Sequence, residues 1–236
     1  MCGRYAFYEH QELSERLTNV SLDTAFFEHF HPTWNAAPSQ DLPVIVPQDD
    51  DLAAVRAMTW GLIPRWTKPG EKPKIAPINA RSETVGEKSM FKSLVKSRRI
   101  IVPANGFYEW KREGSAKQPF FIRPTNGQVM LFAGLYDVAR DADGNSLESF
   151  TILTTSSNDT MAHLHDRMPV MLDADGVEEW LDPDLDALEP LEHLFRPAPG
   201  DAITIHPVSK AVNNTRHNGP DLIEPLDDGD SSGFDI

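Results

Sequence analysis

The chain has 236 residues, 40% of them hydrophobic, a formal net charge of -14 and one cysteine. That length fits one large domain or two small ones. A mean hydropathy of -0.40 without a long apolar run argues against a membrane span, and a lone cysteine makes no internal disulfide, as suits a reducing cytoplasm.

No basic region followed by an apolar stretch opens the chain, so no signal peptide is expected. Residues 9–30 read as helical, with Leu13, Leu17 and Val20 at helix spacing. Proline-punctuated loops follow at His31–Pro43 and Ile63–Pro77. Glu87–Arg98 has the pattern of an amphipathic helix, with Phe91, Leu94 and Val95 on one face and Lys88, Lys92 and Lys96 on another. Strand-like runs come next at Ile100–Val102, Gly106–Lys111, Pro119–Arg123, Val129–Leu135 and Phe150–Thr155. Asn126–Gly127 between two of them signals a hairpin. Helices are expected at Asp173–Leu181 and Leu185–Phe195, and a strand at Ala202–Pro207. The acidic, Gly/Ser-rich end, Leu226–Ile236, reads as a disordered tail. Strands in runs with grouped helices predict a single α+β domain, residues 1–225, built on antiparallel sheet.

Charge is unevenly spread. From Arg56 to Arg123 there are 15 Lys/Arg against 5 Glu and no Asp, whereas the rest holds 7 Lys/Arg and 31 Asp/Glu. Segregation of this kind fits a polyanion-binding face on an acidic body, unless folding mixes the two sets.

Cys2 carries the sharpest chemistry. Removal of Met1, which aminopeptidases perform before a small second residue, leaves an α-amine (~7.7–8.0) beside a thiol (~8.5). Such a 1,2-aminothiol condenses with an aldehyde to a Schiff base, and the thiol then closes a thiazolidine ring. The alternative is an ordinary cysteine in the core. Glu109, between aromatics in Gly106–Trp110, could shuttle protons if buried, or lie exposed on an alternating strand. His165, in His163–Pro169, could act as acid or base near neutrality or be a satisfied structural histidine. His163 and His165 lack a second ligand cluster, so no metal site is read there and no cofactor is implied. Asn79 and Arg81 sit in a polar run ahead of the basic segment. Trp60–Trp66 joins aromatic faces to cations, the combination that stacks bases of a single strand.

The set resembles the SOS-response-associated peptidase (SRAP) family. The matching stretches are Met1–Arg4, Trp34–Pro38, Trp60–Pro64, Ile78–Thr84, Met90–Phe91, Pro103–Trp110, His165–Pro169 and Val208–Ser209 through Val212–Asn214 to Gly219–Pro220, in family order. The resemblance implies a β-barrel-like core flanked by helices, a positively charged groove and, through Cys2, a lyase-like covalent capture of abasic sites in single-stranded DNA during the DNA damage response. By position it assigns Asn79 to orienting Cys2 or the opened sugar, Glu109 to proton transfer at the α-amine, and His165 to ring opening and crosslink reversal. Arg4, Trp66, Arg81, Thr154 and Arg167 would meet DNA. Thr67 and Ser89 depart from the pattern, where some members have tryptophan and arginine; Lys68, Lys88 and Lys92 could compensate. The expected protein is a cytoplasmic monomer without membrane attachment. Two other readings stand beside it: a thiol hydrolase with Cys2 as nucleophile and His165 as base, and a non-catalytic single-strand binding module.

Overall fold

Thirteen strands dominate the described residues. They are β1 (Tyr5–Phe7), β2 (Ser21–Asp23), β3 (Thr33–Ala36), β4 (Asp41–Pro47), β5 (Leu52–Trp60), β6 (Asn79–Arg81) and β7 (Arg99–Ala104), then β8 (Gly106–Glu113), β9 (Ala116–Pro124), β10 (Met130–Arg140), β11 (Ser146–Ser156), β12 (Arg167–Pro169) and β13 (Ile203–Pro207). Three short α-helices accompany them among the described residues: α1 (Leu13–Arg16), α2 (Leu94–Ser97) and α3 (Ala174–Leu181). This computed structural model describes residues 2–17, 21–23, 25–48, 52–71, 73–114 and 116–226. Of the expected acidic tail, residues 227–236 lie outside the described residues.

Five strands close a barrel. β4 pairs with β5 and β7, β7 with β10, and β10 with β11, all antiparallel. The ring shuts where β11 meets β5 in parallel, Phe150 opposite Trp60. Here Trp60 stacks on Phe150, and Tyr5 meets Trp60 edge-on at 5.2 Å. Both faces of this sheet are covered: Ile45 and Ile101 share one and Phe132 and Phe150 the other, and all four are buried. A second sheet, in the order β13-β9-β8-β1-β3, packs alongside. The α+β class with an antiparallel barrel core thus holds, and β5–β11 is its parallel exception.

β11 outlasts the barrel. Its first half lies between β10 and β5; at its far end β12 replaces β10 on one edge and β6 replaces β5 on the other. Thr154 therefore lies between Pro169 and Arg81. This splayed end carries most of the motif residues.

Several local expectations fail. Residues 9–30 do not form one helix: α1, β2 and a 3-10 turn at Ala25–His29 divide the described part. Only Leu94–Ser97 of the predicted helix Glu87–Arg98 is α-helical, the rest being turns that still bury Phe91, Leu94 and Val95. Leu185–Phe195 gives a 3-10 helix at Glu189–Phe195. The Asn126–Gly127 turn does form, with Gly127 at φ 73, but it joins β9 to β10, which lie in different sheets. It is a crossover, not a hairpin. Among the described residues no helix is long and apolar enough to cross a membrane.

Candidate active site

Cys2 leads into β1, whose pairing with β8 sets Tyr5 opposite Phe107. The Tyr108 amide donates to Arg4 O at 3.0 Å, and the same register carries the chain start past Glu109. Across the gap, the Asn79 side-chain amide donates to the Cys2 carbonyl at 2.8 Å. Residues 77 positions apart are thus joined because β6 is held against β11. Asn79 Oδ1 is buried and, among the described residues, accepts no hydrogen bond. It is an acceptor waiting for a donor.

The Cys2 side chain is fully buried. Burial pushes its thiol well above the ordinary value, and the negative charge of Glu109 adds to the rise. Glu109 is only 4% exposed, which removes the exposed alternative for it and sets its carboxylate close enough to be felt at the Cys2 sulfur. A thiol in this setting stays protonated near neutrality and needs a base to react.

His165 lies in the turn before β12, partly exposed. Its Nδ1 accepts from the Arg167 amide at 2.9 Å, which leaves Nε2 to carry the proton of the neutral ring. The Asp166 carboxylate also lies 2.8 Å from Nδ1 and favours the opposite arrangement. The Asp166 side chain is 82% exposed and its charge is screened, so the amide governs while Arg167 is held in place.

The expected DNA contacts divide into two groups. Trp66 is 56% exposed and Arg81 is exposed at the end of β6. Trp66 follows a firmly anchored loop: Gly61 N–H donates to Phe150 O, Ile63 N–H to Ser149 Oγ, and Arg65 N–H to the buried Asp137 carboxylate. Gly61 turns at φ 124, a conformation costly for any side chain. The others are engaged internally. Arg4 donates to Asn35 Oδ1 at 2.6 Å and to Val212 O at 2.9 Å. Thr154 is buried, and Arg167, 8% exposed, forks onto Glu83 at 2.5 and 2.8 Å.

The basic segment is also less free than its count suggests. Arg99 is buried and donates to the carbonyls of Val95, Trp180, Asp182 and Leu185, where α2 and α3 end. Arg65 and Arg98 share Asp137, and Arg56 pairs with Glu148. A groove of about 620 Å³ beside Glu83 carries Lys92 and Lys96, but also Glu83, Glu87, Glu189 and Glu192. It is mixed in charge, not uniformly positive.

Three residues were not singled out from sequence. Glu83 and Asp137 hold arginines, and Tyr5 packs on Trp60 with a buried hydroxyl in the field of Cys2. Glu83 stood inside a matched motif, which was its one signal; Asp137 and Tyr5 had none. The motif asparagines Asn35 and Asn105 are backbone staples. Asn35 donates to the carbonyls of Val212, Asn214 and His217, while Asn105 accepts from the amides of Tyr8 and Glu9.

Comparison with known proteins agrees along the chain. The model of a family described as SOS response associated peptidase (SRAP) matches residues 1–215. The abasic site processing protein YoqW of Bacillus subtilis is 38% identical over 226 residues, covering 95% of this chain and 99% of that protein. YedK of Escherichia coli, also called an abasic site processing protein, is 32% identical over 96% of this chain and 100% of its own length. HMCES of Xenopus tropicalis, with the same description, is 37% identical over 84% of this chain and 68% of its own. The crystal structure of a Bacteroides thetaiotaomicron protein matches with a TM-score of 0.82 at 25% identity, covering 95% of this chain and 100% of that one.

Proposed function

Because the chain belongs to the SOS response associated peptidase (SRAP) family, we propose that it captures abasic sites in single-stranded DNA through Cys2 once Met1 is removed. The observation that carries this reading is the setting of Cys2: its carbonyl held by Asn79, its thiol buried beside Glu109.

The chemistry follows from that setting. The Cys2 amine adds to the C1′ aldehyde of the ring-opened abasic sugar, and loss of one water leaves an imine. His165, with its proton on Nε2, supplies a proton during opening of the sugar ring. The Cys2 thiol then adds its sulfur to the imine carbon, and its proton passes by way of Glu109 to the imine nitrogen. The thiazolidine contains no imine, so it cannot drive β-elimination and the strand stays intact. Trp66 stacks a base and Arg81 meets a phosphate, while Arg4, Thr154 and Arg167 hold the floor beneath them. Every residue given a role here comes from one chain, which supports a monomer as the acting species.

Intact-mass spectrometry with a single-stranded oligonucleotide bearing one abasic site tests this. The expected result is loss of Met1, then a mass gain equal to the oligonucleotide minus one water, absent from Cys2→Ala. A Cys2→Ala protein that formed the same stable adduct would overturn the assignment.

A further inference from the structure

We propose that Glu83 is a positioning residue that acts through Arg167 to set which nitrogen of His165 carries the proton. The link to reactivity rests on the role given to His165 above; the effect on the ring itself does not.

Glu83 lies in the 3-10 turn Ser82–Thr84 directly after β6, and Arg167 opens β12. These elements flank the end of β11 on opposite edges, so the Glu83–Arg167 fork spans β11 from one side to the other. Both guanidinium ends are committed: Nη1 donates to Glu83 Oε1 at 2.5 Å, and Nη2 to Oε2 at 2.8 Å and to Thr154 O at 2.6 Å. A bidentate fork of this kind fixes direction as well as distance. Arg167 is therefore anchored to both its neighbours, and its own amide is the donor that occupies His165 Nδ1.

Two groups compete for that nitrogen. The Arg167 amide needs a lone pair on Nδ1 and so puts the proton on Nε2. The Asp166 carboxylate, 2.8 Å from the same atom, favours a proton on Nδ1. The contest is decided by how firmly the amide is held. Without Glu83, β12 keeps its pairing with β11 and Arg167 its bond to Thr154 O, but the tie to the far edge of β11 is lost; the amide contact then loosens and Asp166 gains. Arg167 in this account is a strut whose side chain is already occupied.

Nitrogen-15 NMR of the histidine rings in DNA-free protein, with His165 assigned by His165→Gln, reads the arrangement directly. In the unmodified protein His165 is expected as the Nε2–H form. Glu83→Ala should move it to a mixture of both forms, Glu83→Gln should move it less, and adding Asp166→Asn should restore Nε2–H. An unchanged His165 signal in folded Glu83→Ala would overturn the proposal; should that variant not fold, an unchanged signal in Glu83→Gln would do so. Crosslinking to an abasic oligonucleotide should slow about tenfold in Glu83→Ala, since the ring loses orientation as well as its form, with affinity for an intact oligonucleotide unchanged. Tighter binding in Glu83→Gln with His165 unmoved would mean that Glu83 merely withholds Arg167 from phosphate, against the proposal. If even the unmodified protein fails to crosslink, the reading of function falls, and the NMR result still decides the role of Glu83.

Discussion

The residue that organises the site is Asn79, whose side chain ties the start of the chain to the strand paired with the end of β11. Its amide holds Cys2 in place, and its buried Oδ1 accepts no hydrogen bond among the described residues. Asn79→Ala removes a part-buried bond of about 1–3 kcal/mol, so crosslinking should fall by roughly one to two orders of magnitude, with affinity for an intact oligonucleotide nearly unchanged. Single-turnover rates set against binding isotherms check this; a parallel loss of affinity would make Asn79 a DNA contact instead. Glu83 offers a second test. Its bonds to Arg167, chiefly, hold its carboxyl below the usual value. A folded pKa below the unfolded one (~4.3) means that the pair stabilises the fold above that range and ceases to do so as pH falls through the folded value. Thermal unfolding of the unmodified protein and Glu83→Gln should therefore differ at pH 7 and converge in strong acid. Curves that stay apart in acid would show that the pair's charge is not what matters.

Among the elements, those whose signals are local were readable. α3 begins where expected because Asp173 caps it, accepting from Gly176 N–H at 2.9 Å, and it buries Val177, Trp180 and Leu181. Asp173→Ala should cost about 1 kcal/mol of stability in chemical denaturation, and no loss would mean that the Trp180 packing alone holds the helix. Glu87–Arg98 misled because its apolar residues are needed in the core wherever the backbone goes, and turns deliver them as well as a helix does. Asn126–Gly127 misled for a related reason: the pair dictates a turn, but not which sheet receives the chain afterwards. Gly106 shows the opposite case, where one residue reports a close approach. A Cβ there would lie 2.6 Å from Ile122 O, so β8 and β9 approach this closely only at a glycine.

For the whole molecule, charge is the open variable that experiment closes. A net charge of -14 repels DNA at long range, so binding rests on a few local cations. With Arg81, Lys68, Lys88 and Lys92 as exposed candidates, four phosphate contacts predict a slope of about -3 for log affinity against log salt on an intact single strand. A flat dependence would leave stacking on Trp66 as the main attraction. The contrast between the sequence count and the folded charges points to the broader division. The order of motifs, three of the five barrel strands (β7, β10 and β11, but not β4 and β5) and the chemistry open to Cys2 were legible in the sequence alone, because each depends on residue type and near neighbours. Only the tertiary structure decided that Glu109 is buried, that Asn79 reaches Cys2, that Arg99 is consumed by helix-end carbonyls, and that Arg167 answers to Glu83. Most of these contacts join residues tens of positions apart; pairing around β11 sets those of Asn79 and Arg167, and no local pattern encodes any of them.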